Sequence, residues 1–378
     1  MKTPRSNFRP LTLAVVAVML GAFAAPVFAQ QQTGTESLRA QRAKRLKELG
    51  KDTEEKQAKA VEEAPLYPNA ARQSPEAKAK GKGLKALQDL QALYEKQDNA
   101  AVVAKAEAIG ADADAGAYEK AFAYQLAGNA SADLGDEAKS AEYFQKALDA
   151  NGLDNNSHYT VMYNLAVVKL GQEKHAEALA TLDRFLAETK SDKPEHQGLR
   201  AGLLGNMGRN DEAAKLYQEL LAKNPNDKRL LLNAVASYQQ ADQFDKGNAL
   251  LADAYKRGLL TEGKELRALY VGYMNAEQMK EALAVINDGV AKGILTPSPE
   301  LAKDYMVLAQ HAYYKGSDSE AIELYRKAAP MAADGEAYLN LAKILRDQGK
   351  AAEAKAAAQQ ALDKGVKKPA EAKQIVGK

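Results

Sequence analysis

The sequence predicts an all-α protein, a right-handed superhelical solenoid of about eight helix pairs. Three observations carry this expectation. First, a small residue set among helix formers is followed seven residues later by another, and the pattern recurs: Ser140 with Ala147, Ala213 with Leu220, Gly247 with Ala254, Ala282 with Gly289, Ala321 with Ala328, Ala354 with Ala361. Counting the first residue of each pair, with looser copies centred on Val103 and Ala178, the intervals are 37, 38, 35, 34, 35, 39 and 33 residues. Such a period means stacked helix pairs, because no single pair can bury its own apolar face. Second, short punctuators interrupt the apolar periodicity: Gly135-Asp136, Gly208-Arg209-Asn210, Asn224-Pro225-Asn226, Gly316-Ser317-Asp318 and Gly349-Lys350. Glycine closes one helix and Asp or Asn opens the next. Third, the alternating polarity of strands is missing.

Taken in order, residues 1–29 read as a secretory signal. Lys2, Arg5 and Arg9 form a positive region, Leu11 to Phe23 is almost wholly apolar, and Val27-Phe28-Ala29 suits cleavage before Gln30. The apolar run is short for a span of about 20 residues. Residues 30–83 form a polar segment and linker. Ser37 to Glu63 is rich in Lys, Arg, Glu and Gln, in keeping with a solvated or fluctuating helix. Pro65, Pro68 and Pro75 break any helix there, and Lys78 to Gly83 has linker composition. Residues 84–366 are the repeat array, continuous because no long insertion breaks its period, and 367–378 are a C-terminal tail.

Composition narrows the function. Without the three cations of the signal, 49 Lys and Arg (52 − 3) stand against 50 Asp and Glu, which gives no support for nucleic-acid binding. The cysteine count is 0, so disulfides, thiolate metal sites and a lipidated cysteine are ruled out. No later stretch approaches the roughly 18 apolar residues of a membrane span. The expected product is exported, soluble and periplasmic, with no integral span after signal cleavage.

Ala201-Gly-Leu-Leu-Gly-Asn-Met-Gly-Arg-Asn-Asp-Glu-Ala-Ala-Lys-Leu-Tyr-Gln-Glu-Leu-Leu-Ala-Lys-Asn-Pro225 resembles a tetratricopeptide repeat, as does Leu308 to Gly316 continued through Ala321, Tyr325 and Ala328. Ala127-Gly128, Gly135, Ser140, Phe144 and Ala147 follow the same pattern, and so do Tyr238, Phe244, Gly247 and Ala254. The copy at Asn164 to Gly171 departs from it, with its turn glycine about two residues early, and the copy from Leu84 to Ile109 is degenerate. A narrower resemblance lies in Ala254 to Arg267, Asp288 to Leu295 and Leu362 to Pro369, with their repeated Lys-Gly-hydrophobic helix endings. These look like the exported tetratricopeptide protein that accompanies some TonB energy-transduction systems. That resemblance implies a periplasmic accessory of TonB-dependent uptake, with TonB-system components among its partners. A general envelope-assembly factor, coordinating cell-wall synthesis or division, has the same organisation.

Catalytic and metal-binding patterns are missing. His158, His175, His196 and His311 sit in four different repeats without the i, i+3 or i, i+4 spacing of a helical metal pair. Gly202 to Gly208 lacks the strand and the Gly-Lys-Ser/Thr ending of a phosphate loop, and Asp112-Ala-Asp114 lacks the continuation of a calcium loop. With no Gly-x-Ser-x-Gly elbow either, the expectation is a non-enzymatic scaffold that needs no cofactor and binds protein or peptide segments in its concave groove. First helices line that groove in the resembled family. Their exposed positions here include Asn129 beside Phe122 and Gln125, Tyr163 beside Thr160 and Val167, then Arg229, Leu232 and Ala236. Asn164, Asn233 and Asn340 share one repeat position, and an asparagine amide can donate to and accept from one peptide unit of an extended ligand. Asn129 and Asn164 partly resemble the family's carboxylate clamp, whose cationic positions are here Gln125, Glu195 and Leu199. Lys264, Arg267, Lys303, Lys343 and Arg346 give the later copies a basic face, suited to an acidic partner or simply solvated.

Overall fold

A computed structural model describes residues 65–75, 79 and 81–377. The expected export signal and most of the polar segment after it lie outside the described residues. The described residues divide into two compact units, with the boundary between Gln243 and Phe244. All of their regular structure is helical.

The N-terminal unit holds α1 (Lys82–Glu95), α2 (Asn99–Ala111), α3 (Ala117–Asp133), α4 (Glu137–Ala150), α5 (Asn155–Gly171), α6 (His175–Thr189), α7 (Pro194–Asn206), α8 (Asn210–Lys223) and α9 (Lys228–Gln240). Within this unit consecutive helices pack on one another from α1 through α9. The C-terminal unit holds α10 (Phe244–Lys256), α11 (Gly263–Asn275), α12 (Met279–Ala291), α13 (Pro299–Tyr314), α14 (Asp318–Met331), α15 (Glu336–Asp347), α16 (Ala351–Asp363) and α17 (Pro369–Val376). Its hairpins are α11 with α12, α13 with α14, and α15 with α16. Residues 367–378, read from sequence as a tail, include α17, which packs on α15 and α16.

The helices begin and end where local chemistry satisfies their free backbone groups. Asp98, Asp136, Asp154, Asp227 and Ser298 each accept a hydrogen bond from the amide three residues on, at 3.0–3.2 Å. The turns inside the hairpins pass through the left-handed region, with φ of 78° at Gly135, 73° at Gly208 and 83° at Gly316. In the copy whose glycine comes early, Glu173 takes that place at φ 59°. The turn still closes with the usual bond, Lys174 N–H to Lys169 C=O at 2.9 Å. Gly171 is instead the last residue of α5, where a Cβ would come within about 3.0 Å of the Glu137 carboxylate. Its position records a close approach of α4 rather than a misplaced turn.

The small residues of the repeat sit where paired helices cross. Ser140 is fully buried and donates its hydroxyl to the Gly128 carbonyl at 2.8 Å. A Cβ on Gly128 would lie 2.5 Å from the Phe144 ring. Ala147, Ala213, Ala254, Ala282, Ala321, Ala328 and Ala361 are likewise without solvent contact. Larger side chains fill the space between crossings: Phe144, Tyr159, Leu165 and Phe185 in the N-terminal unit, Tyr270, Ile286, Tyr325 and Ile344 in the C-terminal one.

Two stability outcomes follow from this geometry. Ala213→Phe forces a ring into the crossing of α7 and α8, where the nearest Gly205 Cβ position is 3.9 Å away. It is expected to cost about 1–3 kcal/mol and lower the thermal midpoint; unchanged melting would contradict this crossing. Glu173→Gly relieves a left-handed residue whose side chain is exposed, and chemical denaturation should show a gain of about 0.5–1 kcal/mol.

Candidate functional site

Residues 65–75, whose prolines forbid a helix, are not an unattached linker. They lie across the ends of α4 to α7 and make a dense set of long-range contacts. Asparagine side chains hold the backbone of this segment. The Leu66 amide donates to Asn156 Oδ1 at 2.8 Å, and Asn155 Nδ2 donates to the Arg72 carbonyl at 2.7 Å. The Asn155 amide donates to Ser74 Oγ at 3.1 Å.

Two side chains anchor the segment. The Arg72 guanidinium reaches the end of α4 and the loop to α5, donating to Asn155 Oδ1 at 2.7 Å, Asn151 Oδ1 at 2.8 Å, the Asn151 carbonyl at 3.2 Å and the Leu153 carbonyl at 3.0 Å. Asn151 closes α4 in the left-handed conformation, φ 52°. The cation therefore sits at the negative end of a helix dipole, among acceptors the helix leaves over. Tyr67 enters an aromatic pocket. Its ring stands edge-on to Tyr159 at 5.5 Å and to Phe185 at 5.4 Å, and stacks with His196 at 6.3 Å. Edge-to-face contacts of this kind match the positive ring edge to the negative face. Tyr163 closes the pocket, 4.9 Å from His196, and Lys193 Nζ lies 5.6 Å from the Tyr67 ring centre. The Tyr67 hydroxyl meets Thr160, and burial is the main reason its ionisation is pushed up.

Two histidines are enclosed around this seat. His158 and His196 are 2% and 6% exposed, and burial holds both down to about 4. His196 Nδ1 is 2.8 Å from Ser191 Oγ. Both rings are therefore neutral at pH 7 and serve as packing surface.

The structure gives the sequence-predicted site residues differing surroundings. In the N-terminal unit, Tyr163 borders the Tyr67 pocket, Asn129 is buried, and Asn164 and Asn233 are half-buried. The Asn233 amide lies beside the Tyr217 hydroxyl, which donates to the Gly198 carbonyl at 3.3 Å. In the C-terminal unit, Asn340 lies beside the Tyr325 hydroxyl in the matching way. Each of the two asparagines on a first helix thus faces a tyrosine of the second helix before it. Arg267 forks onto the buried Asp304 at 3.0 and 3.2 Å, and the Tyr270 hydroxyl donates to the same carboxylate at 2.8 Å. Lys343 pairs with Glu371, Lys264 with Glu262 at 3.0 Å and Arg346 with Asp347 at 2.9 Å. Lys303 is exposed. Much of the expected basic face is therefore matched by carboxylates of the chain itself.

Sequence reasoning missed Tyr67, Arg72, Asn155, Asn156 and His196. The available signal was Pro65-Leu-Tyr-Pro68, an aromatic residue in a stretch that cannot be helical.

Residues 123–152 and 335–363 match the tetratricopeptide-repeat family; these segments cover α3 with α4 and α15 with α16. No curated protein sequence matches the chain. Among solved structures, a tetratricopeptide repeat protein from Parabacteroides merdae is similar at 18% identity, covering 67% of this chain and 96% of its own, with a TM-score of 0.40. YrrB, described as a TPR protein with an unusual peptide-binding site, shows 22% identity over 51% of this chain and 98% of its own, with a TM-score of 0.40. MamA from Desulfovibrio magneticus RS-1 shows 14% identity over 45% and 93%, with a TM-score of 0.38. At such identities and scores nothing about function transfers.

Two measurements check this geometry. The buried histidines bind protons in the unfolded chain near pH 6.5 but in the folded one only near 4. Their contribution is complete above about pH 6.5 and is lost as pH falls toward 4, reaching roughly 2 kcal/mol per histidine by pH 5. His196→Gln should flatten that part of the stability profile; an unchanged slope would show His196 to be solvated. Asn233→Ala removes a partner of the Tyr217 hydroxyl and should cost about 1 kcal/mol in denaturant unfolding.

Proposed function

We propose that this chain is a non-enzymatic tetratricopeptide scaffold of the bacterial periplasm, binding protein or peptide segments along the first helices of its repeats. The observation that carries the reading is the seating of residues 66–74. Asparagine amides engage the backbone of a non-helical segment that turns between Tyr67 and Ala70, while an aromatic pocket takes one side chain, a division of labour by which grooves recognise peptides whatever the intervening sequence. The family match at two repeats agrees with a surface for protein contacts. Export rests on the positive, apolar and small-residue sequence of the first 29 residues. Within the described residues no helix is long and apolar enough to cross a membrane.

The partners we propose are components of a TonB system, which the Lys-Gly-hydrophobic helix endings support by resemblance. Envelope assembly, at cell-wall synthesis or division, is the alternative, supported by the polar segment that precedes the repeats.

The test is a photo-crosslinking amino acid at Val167 or at Lys303 in the exported chain, with the trapped proteins identified in the cell envelope. Crosslinks to TonB-system proteins support the first reading, and crosslinks to cell-wall or division proteins support the second. N-terminal sequencing of the same material should begin near Gln30. A start at Met1 would remove the exported reading.

A further inference from the structure

Residues 66–74 contact the N-terminal unit in the manner of a ligand. Only Tyr67, Ala70 and Arg72 lose part of their exposure, while Leu66, Pro68, Asn69, Ala71, Gln73 and Ser74 remain exposed. The segment is thus held by its backbone and by two anchors five residues apart. Its seat is built by other parts of the chain: Tyr159, Tyr163, Phe185 and His196 around the tyrosine, and Asn151, Leu153, Asn155 and Asn156 around the arginine and the backbone. Empty, the seat would turn a cluster of aromatic rings and several carbonyl acceptors toward water. Clusters of that kind mark interaction surfaces.

We infer that this seat is a binding site for a non-helical segment of a partner protein carrying a tyrosine that opens a turn and, five residues on, an arginine, and that residues 66–74 occupy it in cis. The inference rests on the peptide-binding reading above and gives it a ligand class and a control. A tethered segment acts at an effective concentration in the millimolar range. A partner must displace it, so the apparent affinity falls with the fraction of molecules whose seat is free. Tyr67 supplies apolar area and ring-edge geometry, and lysine could not replace Arg72, because the fork spreads over four acceptors.

The probe is a fluorescein-labelled synthetic peptide of residues 64–75, added to the full-length exported chain and followed by fluorescence anisotropy. Tyr67→Ala with Arg72→Ala frees the seat and should bind the peptide at least about tenfold more tightly than the unaltered chain. A peptide with both anchors changed to alanine should not bind. Adding Asn156→Ala to the double variant should weaken binding severalfold, through loss of the bond to the Leu66 amide. Circular dichroism confirms folding. Arg72→Ala alone breaks only polar contacts at the unit's edge and should give an intermediate gain, so the inference stays testable if the double variant is unstable. Equal binding by the unaltered chain and the variants, or binding by none of them, overturns it. A concentration-dependent dimer of the unaltered chain also overturns it, because the arm would then be exchanged between copies. A freed seat that takes the peptide, in a chain whose crosslinks trap no protein, leaves the pocket standing and removes the scaffold reading.

Discussion

Two helices approach only as closely as the side chains at their crossing allow, and in this chain that limit is set by residues with little or no side chain. Gly128 lies under the Phe144 ring, Ser140 is fully buried against the Gly128 carbonyl, and Ala213 meets the backbone at Gly205. At Gly128 close packing leaves no room for a methyl group more, since a Cβ there would come 2.5 Å from the Phe144 ring. It also fixes where each helix ends relative to its neighbour. Every other feature, from the turns to the pocket around Tyr67, is positioned by those crossings.

Helix ends in such an array collect on the same edges, and their unused backbone groups become binding chemistry. The end of α4 shows this. Asn151 turns left-handed, and the Asn151 and Leu153 carbonyls face one guanidinium. The start of α5 adds two asparagine side chains. One of them, Asn155, both donates to the Arg72 backbone and accepts from its guanidinium. An asparagine pair just inside a helix is ordinary as sequence. Only the return of residues 65–75 to that edge gives it a partner.

Polar residues inside the two units show the opposite outcome. Asn233 and Asn340, alike in repeat position, each lie beside a tyrosine hydroxyl of the preceding second helix. Arg267, Tyr270 and Asp304 form a half-buried cluster in which one carboxylate accepts three hydrogen bonds. A buried carboxylate requires such company, since desolvation without partners costs several kcal/mol. A basic or amide position in a repeat is therefore not by itself a ligand contact. For Arg267 and Lys343, whether the position meets the chain's own groups depends on residues more than a dozen positions away.

The sequence by itself determined the all-α class, the period of the helix pairs, the buried small residues and most turns, because these depend on spacing and on local backbone preference. It placed Thr160 and Tyr163 on one face of a single helix for the same reason. The structure showed Glu173 serving as a turn residue in place of glycine, with the closing bond from Lys174 to Lys169 kept. Only the tertiary structure brought Tyr67 and Arg72 onto helices roughly 80 to 130 residues further along the chain. Contacts of that range leave no periodic trace, since each is made once, between one segment and one seat, and is selected by packing and hydrogen-bond geometry rather than by a repeating pattern.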